Sequence, residues 1–231
     1  MGVEPGFNGQ KENVQYIHTS YLDNKENLSN KFLLKAEKLK KTNPVKYNHI
    51  MMGSWIESAE GVIFTDWKLG DFDDSLPFGY GMDFGFFPDP DVLVRTAIDN
   101  KRKLIYVKEM FQLNNAGLNE LHSQIEKTKD DKMLIWADSA EPRLITDLQK
   151  KGVNIDKVIK GAGSVLAGIK LMQDYTIVVH PDSTNIVREL NHYVWNDKKG
   201  GIPVDAYNHW MDAIRYHCIM NITDYGKMDL R

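Results

Sequence analysis

The chain has 231 residues, 42% hydrophobic and 26% charged, with a formal net charge of −3. That is ordinary globular composition, long enough to bury a core, and no apolar run nears the roughly 20 residues that span a bilayer. The one cysteine, Cys218, excludes an intramolecular disulfide framework and fits a reducing compartment, and residues 1–10 lack the basic and apolar regions of a signal peptide.

Along the chain, apolar residues at Leu28, Phe32, Leu33, Ala36 and Leu39 predict a helix over 25–41, with lysines on its other face, ended by Asn43-Pro44. Residues 51–64 read as a short apolar element, a turn at 57–61 and a short strand. The stretch 66–77 is polar and turn-rich, and reads as a linker whose acids Asp71, Asp73 and Asp74 are solvated. A new pattern then starts, with strands over 78–86, 92–98 and 103–111 and a helix over 118–128. A short buried strand at 133–137 follows, then a helix over 142–151 closed by Gly152, and a strand at 153–159. A helix at 165–173, an extended piece at 175–179 and a helix at 184–193 come next. Residues 195–205 carry a hairpin turn at Lys198-Lys199-Gly200-Gly201, and the last helix covers 206–221. Domains are therefore expected at 1–77 and 78–231. The succession resembles the α/β ribonuclease H-like fold, a mixed central sheet flanked by helices. That resemblance implies that the first strand of the core is central and lies beside the fourth.

Three acids stand at punctuation points of this pattern. Asp83 falls in the apolar, glycine-rich strand Gly79-Tyr80-Gly81-Met82-Asp83-Phe84-Gly85, where a charge is costly unless it is paired or bound to metal. The glycines at 79, 81 and 85 allow another backbone to approach closely. Asp138 ends the run Met133-Leu134-Ile135-Trp136-Ala137, at the carboxyl end of a strand, where α/β sheets place ligands. It precedes a helix start in which Ser139 can supply the cap and Glu141 suits the dipole. Asp212 lies three residues after His209, so both project from one face of the last helix. Such acids, brought together, suit paired Mg²⁺ or Mn²⁺. The net charge leaves no basic signature of a nucleic-acid partner, yet an acidic metal site adds negative charge that bound ions neutralise.

No phosphate-binding loop occurs, since Gly161-Ala162-Gly163-Ser164 lacks both the spacing and the lysine, and no zinc pattern is present. Gly163-Ser164 reads as a helix cap, with Lys160 beside it as an anion contact. Lys198 and Lys199 suit a phosphate backbone overhanging the acids. Cys218 reads as buried filler.

The set Gly81-Met-Asp83-Phe-Gly85, Ala137-Asp-Ser-Ala-Glu-Pro142, Lys160-Gly-Ala-Gly-Ser-Val165 and Asn208-His-Trp-Met-Asp-Ala-Ile-Arg-Tyr216 resembles the nuclease domain of large terminase subunits of tailed phages, from about 78 to 220. Residues 16–24, the lysine-rich helix and Gly53-Ser54-Trp55 resemble the end of the terminase ATPase region and its linker. The resemblance implies a metal-dependent endonuclease that cuts concatemeric double-stranded viral DNA during packaging. In it, Asp83, Asp138 and Asp212 would bind two Mg²⁺ or Mn²⁺ ions and His209 would assist. It implies DNA, a small terminase subunit and the portal as partners, no membrane, and the cytoplasm of an infected bacterium as the location. The ATPase motor of the family is not expected within this sequence. Two other readings share the residues: another ribonuclease H-like nuclease such as a junction resolvase, and a non-catalytic packaging interaction module.

Overall fold

The computed structural model describes residues 7–42, 47, 50–53, 59, 61–85, 88–128, 133–196 and 201–222. The chain divides into two compact units, Met1–Glu57 and Ser58–Arg231. In the first, β1 (Gly9–Lys11) and β2 (Val14–Tyr16) form an antiparallel hairpin turned at Glu12, whose φ is 54°. A 3-10 segment, Tyr21–Asn27, opens on a capping box between Ser20 and Asp23. Helix α1 (Asn30–Thr42) follows. It begins five residues later than the apolar spacing predicts, because the Ser29 hydroxyl accepts the Phe32 N–H at 3.2 Å and starts the helix there.

The second unit is built on one seven-stranded sheet. Its strands are β3 (Trp67–Leu69), β4 (Phe78–Asp83), β5 (Pro90–Asp99), β6 (Leu104–Asn114), β7 (Ile135–Ala137), β8 (Ile155–Lys157) and β9 (Thr176–Val179), in the order β3-β9-β6-β5-β4-β7-β8. Strands β4, β5 and β6 run as an antiparallel meander, while β4 to β7, β7 to β8, β6 to β9 and β3 to β9 are parallel. The first long strand thus lies in the interior of the sheet beside the fourth, as the ribonuclease H-like resemblance implies. Helices α2 (Leu118–Thr128) and α3 (Pro142–Lys150) cover one face of the sheet. They pack Leu121, Ile125, Ile145 and Leu148 on Tyr80, Met82, Leu93 and Ile135. Helices α4 (Ser164–Gln173), α5 (Thr184–His192) and α6 (His209–Asn221) cover the other, against Val92, Val94, Ile105, Val107 and Ile177. Both faces of the central strands are buried, which explains their near-continuous apolar runs. Among the described residues no helix is long and apolar enough to cross a membrane.

The segment expected as a linker is part of this sheet. Strand β3 pairs with β9, Trp67 opposite Ile177, so the structural division falls at 57/58 rather than at 77/78. Asp71 and Asp74 of that segment are exposed, as expected of solvated acids, but two of its three acids also make ion pairs. Asp73 pairs with Arg102 and Asp74 with Arg95, each at 2.8 Å, and the Arg95 guanidinium stacks on Phe72 and Phe78. The strip is strapped across the sheet by two arginines from β5 and the β5–β6 turn.

Candidate metal centre

Strand register sets the first two acids side by side. The parallel pairing of β4 and β7 runs through Met82 opposite Ala137, and the Asp138 N–H continues it by donating to the Met82 carbonyl at 3.3 Å. Asp83 and Asp138 are the next residues on two strands about 4.8 Å apart, both at carboxyl ends.

Helix α6 brings the rest by meshing with β4. The residues of β4 that face it are Gly79, Gly81 and Asp83, two apart along the strand. Opposite them stand His217, Ala213 and His209, four apart along the helix. Two strand residues advance about 6.7 Å and four helix residues about 6 Å, so the two elements stay in step over three contacts. The glycines are the condition for this. A Cβ on Gly79 would lie 2.7 Å from the His217 ring, and one on Gly81 would collide with the Ala213 backbone. His209, Asp212 and Tyr216 (i, i+3, i+7) form the helix stripe at this end of the sheet.

Two carboxylates outside the cluster aim the helix. Glu109 of β6 accepts the Ile186 N–H at 2.7 Å and the Asn185 amide at 2.8 Å, tying down the start of α5. Glu189 of α5, 6% exposed, accepts the Met211 N–H at 3.0 Å, tying down the start of α6. Burial pushes the Glu189 carboxyl up to about 7.

Every acid of the cluster has a protein donor. Asp83 is buried and its Oδ2 lies 3.1 Å from His209 Nδ1, while His209 Nε2 lies 3.5 Å from Asp89. Burial raises the Asp83 carboxyl above its usual range, and the bond to Asp83 raises the His209 imidazole. Both directions favour a proton held between Oδ2 and Nδ1. The Tyr216 hydroxyl lies 3.2 Å from Asp83 Oδ1 and 3.1 Å from Asp138 Oδ2, bridging the two acids, and burial keeps it protonated. Asp138 Oδ1 accepts the Lys160 ammonium at 2.5 Å and the Ala140 N–H at 2.9 Å. Burial alone would raise Asp138, but Lys160 and Ala140 outweigh it and hold the carboxyl below its usual range. Asp212 pairs at 2.8 Å with Arg215, which is 2% exposed and packs its stem on Gly168 of α4. Beside Asp212 a cleft of about 610 Å³ opens between Gly163-Ser164, Tyr193 and the 202–208 segment.

The structure therefore brings Asp83, Asp138, Asp212, His209 and Lys160 into one neighbourhood. Lys198 and Lys199 lie outside the described residues. Of the residues on either side, Trp195 is bridged to Pro203 and the Asn196 N–H donates to the Ile202 carbonyl at 2.8 Å. One expectation at the β7–α3 connection is corrected. Ser139 does not cap α3, whose N-cap is Glu141 without a side-chain bond, because the turn there is made by Asp138 accepting from Ala140. Glu141 is exposed and stands at the N-cap of α3, the helix start expected of it. Cys218 is fully buried, as expected of filler.

The donor set is all carboxylate and imidazole, which suits hard divalent ions with oxygen preference. Mutual repulsion among Asp83, Asp138 and Asp212, which helps to raise Asp83, is what a cation would relieve. The acids do not yet close on one point, for among the described residues no three His, Cys, Asp or Glu side chains stand together to hold a single ion. His209, Tyr216, Lys160 and Arg215 hold them instead.

The profile of the family described as "Terminase RNAseH like domain" matches residues 83–218, from the first acid to beyond Tyr216. The chain belongs to that family. It is 34% identical over 217 residues to the terminase large subunit of Bacillus phage SPP1, covering 86% of this chain and 50% of that protein. It is 28% identical over 159 residues to the PBSX phage terminase large subunit of Bacillus subtilis strain 168, covering 67% and 36%. This terminase-family chain thus spans half or less of the length of these relatives. Its fold is similar to the crystal structure of the SPP1 large terminase nuclease domain with bound Mn, with a TM-score of 0.60 and 30% identity over 68% of this chain and 97% of that one. The ribonuclease H-like terminase nuclease fold is therefore the fold of residues around the acidic cluster, and Asp83, Asp138, Lys160, His209 and Asp212 all lie inside the matched span with Arg215 and Tyr216.

Proposed function

We propose that this chain is a divalent-metal-dependent endonuclease that cuts concatemeric double-stranded viral DNA during genome packaging. In this reading Asp83, Asp138 and Asp212 hold two Mg²⁺ or Mn²⁺ ions and His209 assists them. The observation that supports it best is the meeting of Asp83, Asp138 and Asp212, far apart in sequence, at the carboxyl ends of β4 and β7 under one stripe of α6. The bound Mn of the SPP1 nuclease domain supports the ion class. When bound, such ions activate the attacking water and stabilise the leaving 3′ oxygen. The chain's own part is to hold the carboxylates on rigid elements, to keep a proton at His209 Nδ1 beside Asp83, and to meet DNA phosphates with Lys160, which stands against Asp138, and with Lys198 and Lys199 as the sequence suggests. The first unit is proposed as the end of the ATPase region and its linker. The small terminase subunit and portal are proposed as partners in the cytoplasm of the infected host.

Plasmid cleavage in Mn²⁺ tests this. Asp83→Asn and Asp212→Asn should each lower the rate at least about 100-fold with unchanged circular dichroism, and EDTA should stop the wild type. Wild-type rates from either variant would overturn the reading. A panel of linear and branched duplexes separates it from a junction resolvase, which would favour the branched ones.

A further inference from the structure

We infer that Lys160 is a counter-cation built into the site, competing with a divalent ion for Asp138 and holding that ion's affinity low until the ammonium is drawn away. The inference rests on the reading that Asp138 takes part in ion binding. Lys160 lies in the connection from β8 to α4, and its side chain reaches back across the site. Its Nζ stands 2.5 Å from Asp138 Oδ1 and 3.1 Å from the Tyr216 hydroxyl, and 4.4 Å from the centre of the Tyr216 ring. That hydroxyl, having accepted from Lys160, has one proton to donate, and Asp83 Oδ1 and Asp138 Oδ2 both lie within 3.2 Å of it. One ammonium therefore acts on Asp138 directly and on both acids through a single hydroxyl.

The lone pairs of Asp138 decide the competition. Oδ1 already accepts from Lys160 and from the Ala140 N–H, and Oδ2 receives Tyr216, so an ion that coordinates Asp138 through Oδ1 must evict Lys160. Even an ion entering at Oδ2 would meet the repulsion of an ammonium on the same carboxylate. The other cation of the cluster is fixed differently. Arg215 is 2% exposed and pinned against Gly168, whereas the Lys160 side chain is 27% exposed on a flexible four-carbon stem, free to swing outward. A polyanion arriving at the cleft supplies the charge that would draw it off. The arrangement ties ion loading to the presence of substrate, and it accounts for acids that are near one another yet not closed on a common point.

Direct Mn²⁺ binding to the whole chain without DNA, followed by electron paramagnetic resonance, tests this apart from activity. Lys160→Gln should tighten Mn²⁺ binding at least about tenfold, since it removes a charge-assisted bond that the ion must otherwise break. Lys160→Arg, which keeps the charge, should stay near wild type. Asp138→Asn should weaken binding. The Mn²⁺-induced rise in melting temperature should be larger in Lys160→Gln than in wild type. Unchanged or weaker binding in Lys160→Gln overturns the inference, as does equal tightening in Gln and Arg variants. If Asp138→Asn binds Mn²⁺ as wild type does, the role of Asp138 in ion binding fails and the inference falls with it.

Discussion

Gly81→Ala isolates the fit between β4 and α6, because it adds one methyl group at the closest point of approach. The new Cβ would stand 2.7 Å from the Ala213 carbonyl carbon and closer still to its oxygen. Both partners are backbone, one in a central strand and the other in a helix buried on nearly every side, so no flexible side chain can give way. Restoring an ordinary contact of 3.4 Å to that carbon alone requires about 0.7 Å, and relieving the oxygen as well asks the helix to retreat by about 1 Å or more. The His209–Asp83 distance, now 3.1 Å, would then pass about 4 Å, beyond hydrogen-bonding range. Overpacking of this kind costs about 1–3 kcal/mol, and a 1 Å error in site geometry costs about 100-fold in rate. Urea denaturation and Mn²⁺-dependent plasmid cleavage, measured on the same preparation, read the two effects. Gly117→Ala is the control, since a Cβ there meets nothing within 4 Å. If Gly81→Ala matches Gly117→Ala in both stability and cleavage, the meshing of helix on strand is not what positions His209.

The buried cap of α6 predicts a pH effect. Glu189 is raised from 4.5 to about 7 by burial, so its contribution to stability is full below about 4.5 and is lost as pH rises through about 7. Glu189→Gln keeps an acceptor for Met211 without the charge. The wild type should therefore lose about 3 kcal/mol more than the variant between pH 4.5 and 8 in denaturant titrations, and parallel profiles would disprove the assignment. Asp91, raised by burial to about 6, acts with the same sign in both proteins and cancels in the comparison. Glu109→Ala should cost about 2 kcal/mol, by freeing the Ile186 N–H and the Asn185 amide, read as a lower urea midpoint at constant slope. A loss under about 0.5 kcal/mol would mean that Glu109 does not anchor α5.

What could be foreseen from sequence follows the physics of each signal. The central strands were legible because both their faces are buried and their apolar runs are long, and Asp83 stood out because a charge interrupts such a run. Glycines 79 and 81 announced a close backbone approach, though not which element makes it. Strands β1, β2 and β3 are three residues each, too short for alternation to rise above chance, and β3 sits at the sheet edge beside polar turns. The last helix starts at His209 rather than 206, since Tyr207 adopts a φ of 56° that interrupts helical backbone just before it. Tyr216 was visible as a helix residue closing the last motif, but its bridge between Asp83 and Asp138 was not, because that depends on register. Glu189 did leave a trace. It interrupts the buried stripe of Ile186 and Leu190 at helical spacing, the mark of a carboxylate that must find a partner inside.

The dependence of the acidic cluster on α6 also has a meaning in time. Asp83 and His209 are 126 residues apart, and translation at about 5–20 residues per second separates their appearance by roughly 6–25 s. During that interval a growing chain carries β4 with its glycine groove open, and Asp83 has neither Asp212 nor His209 beside it. Cutting power, on the proposed reading, arrives only when the helix seats against the strand, so a ribosome that stalls before α6 releases a harmless fragment rather than a stray nuclease.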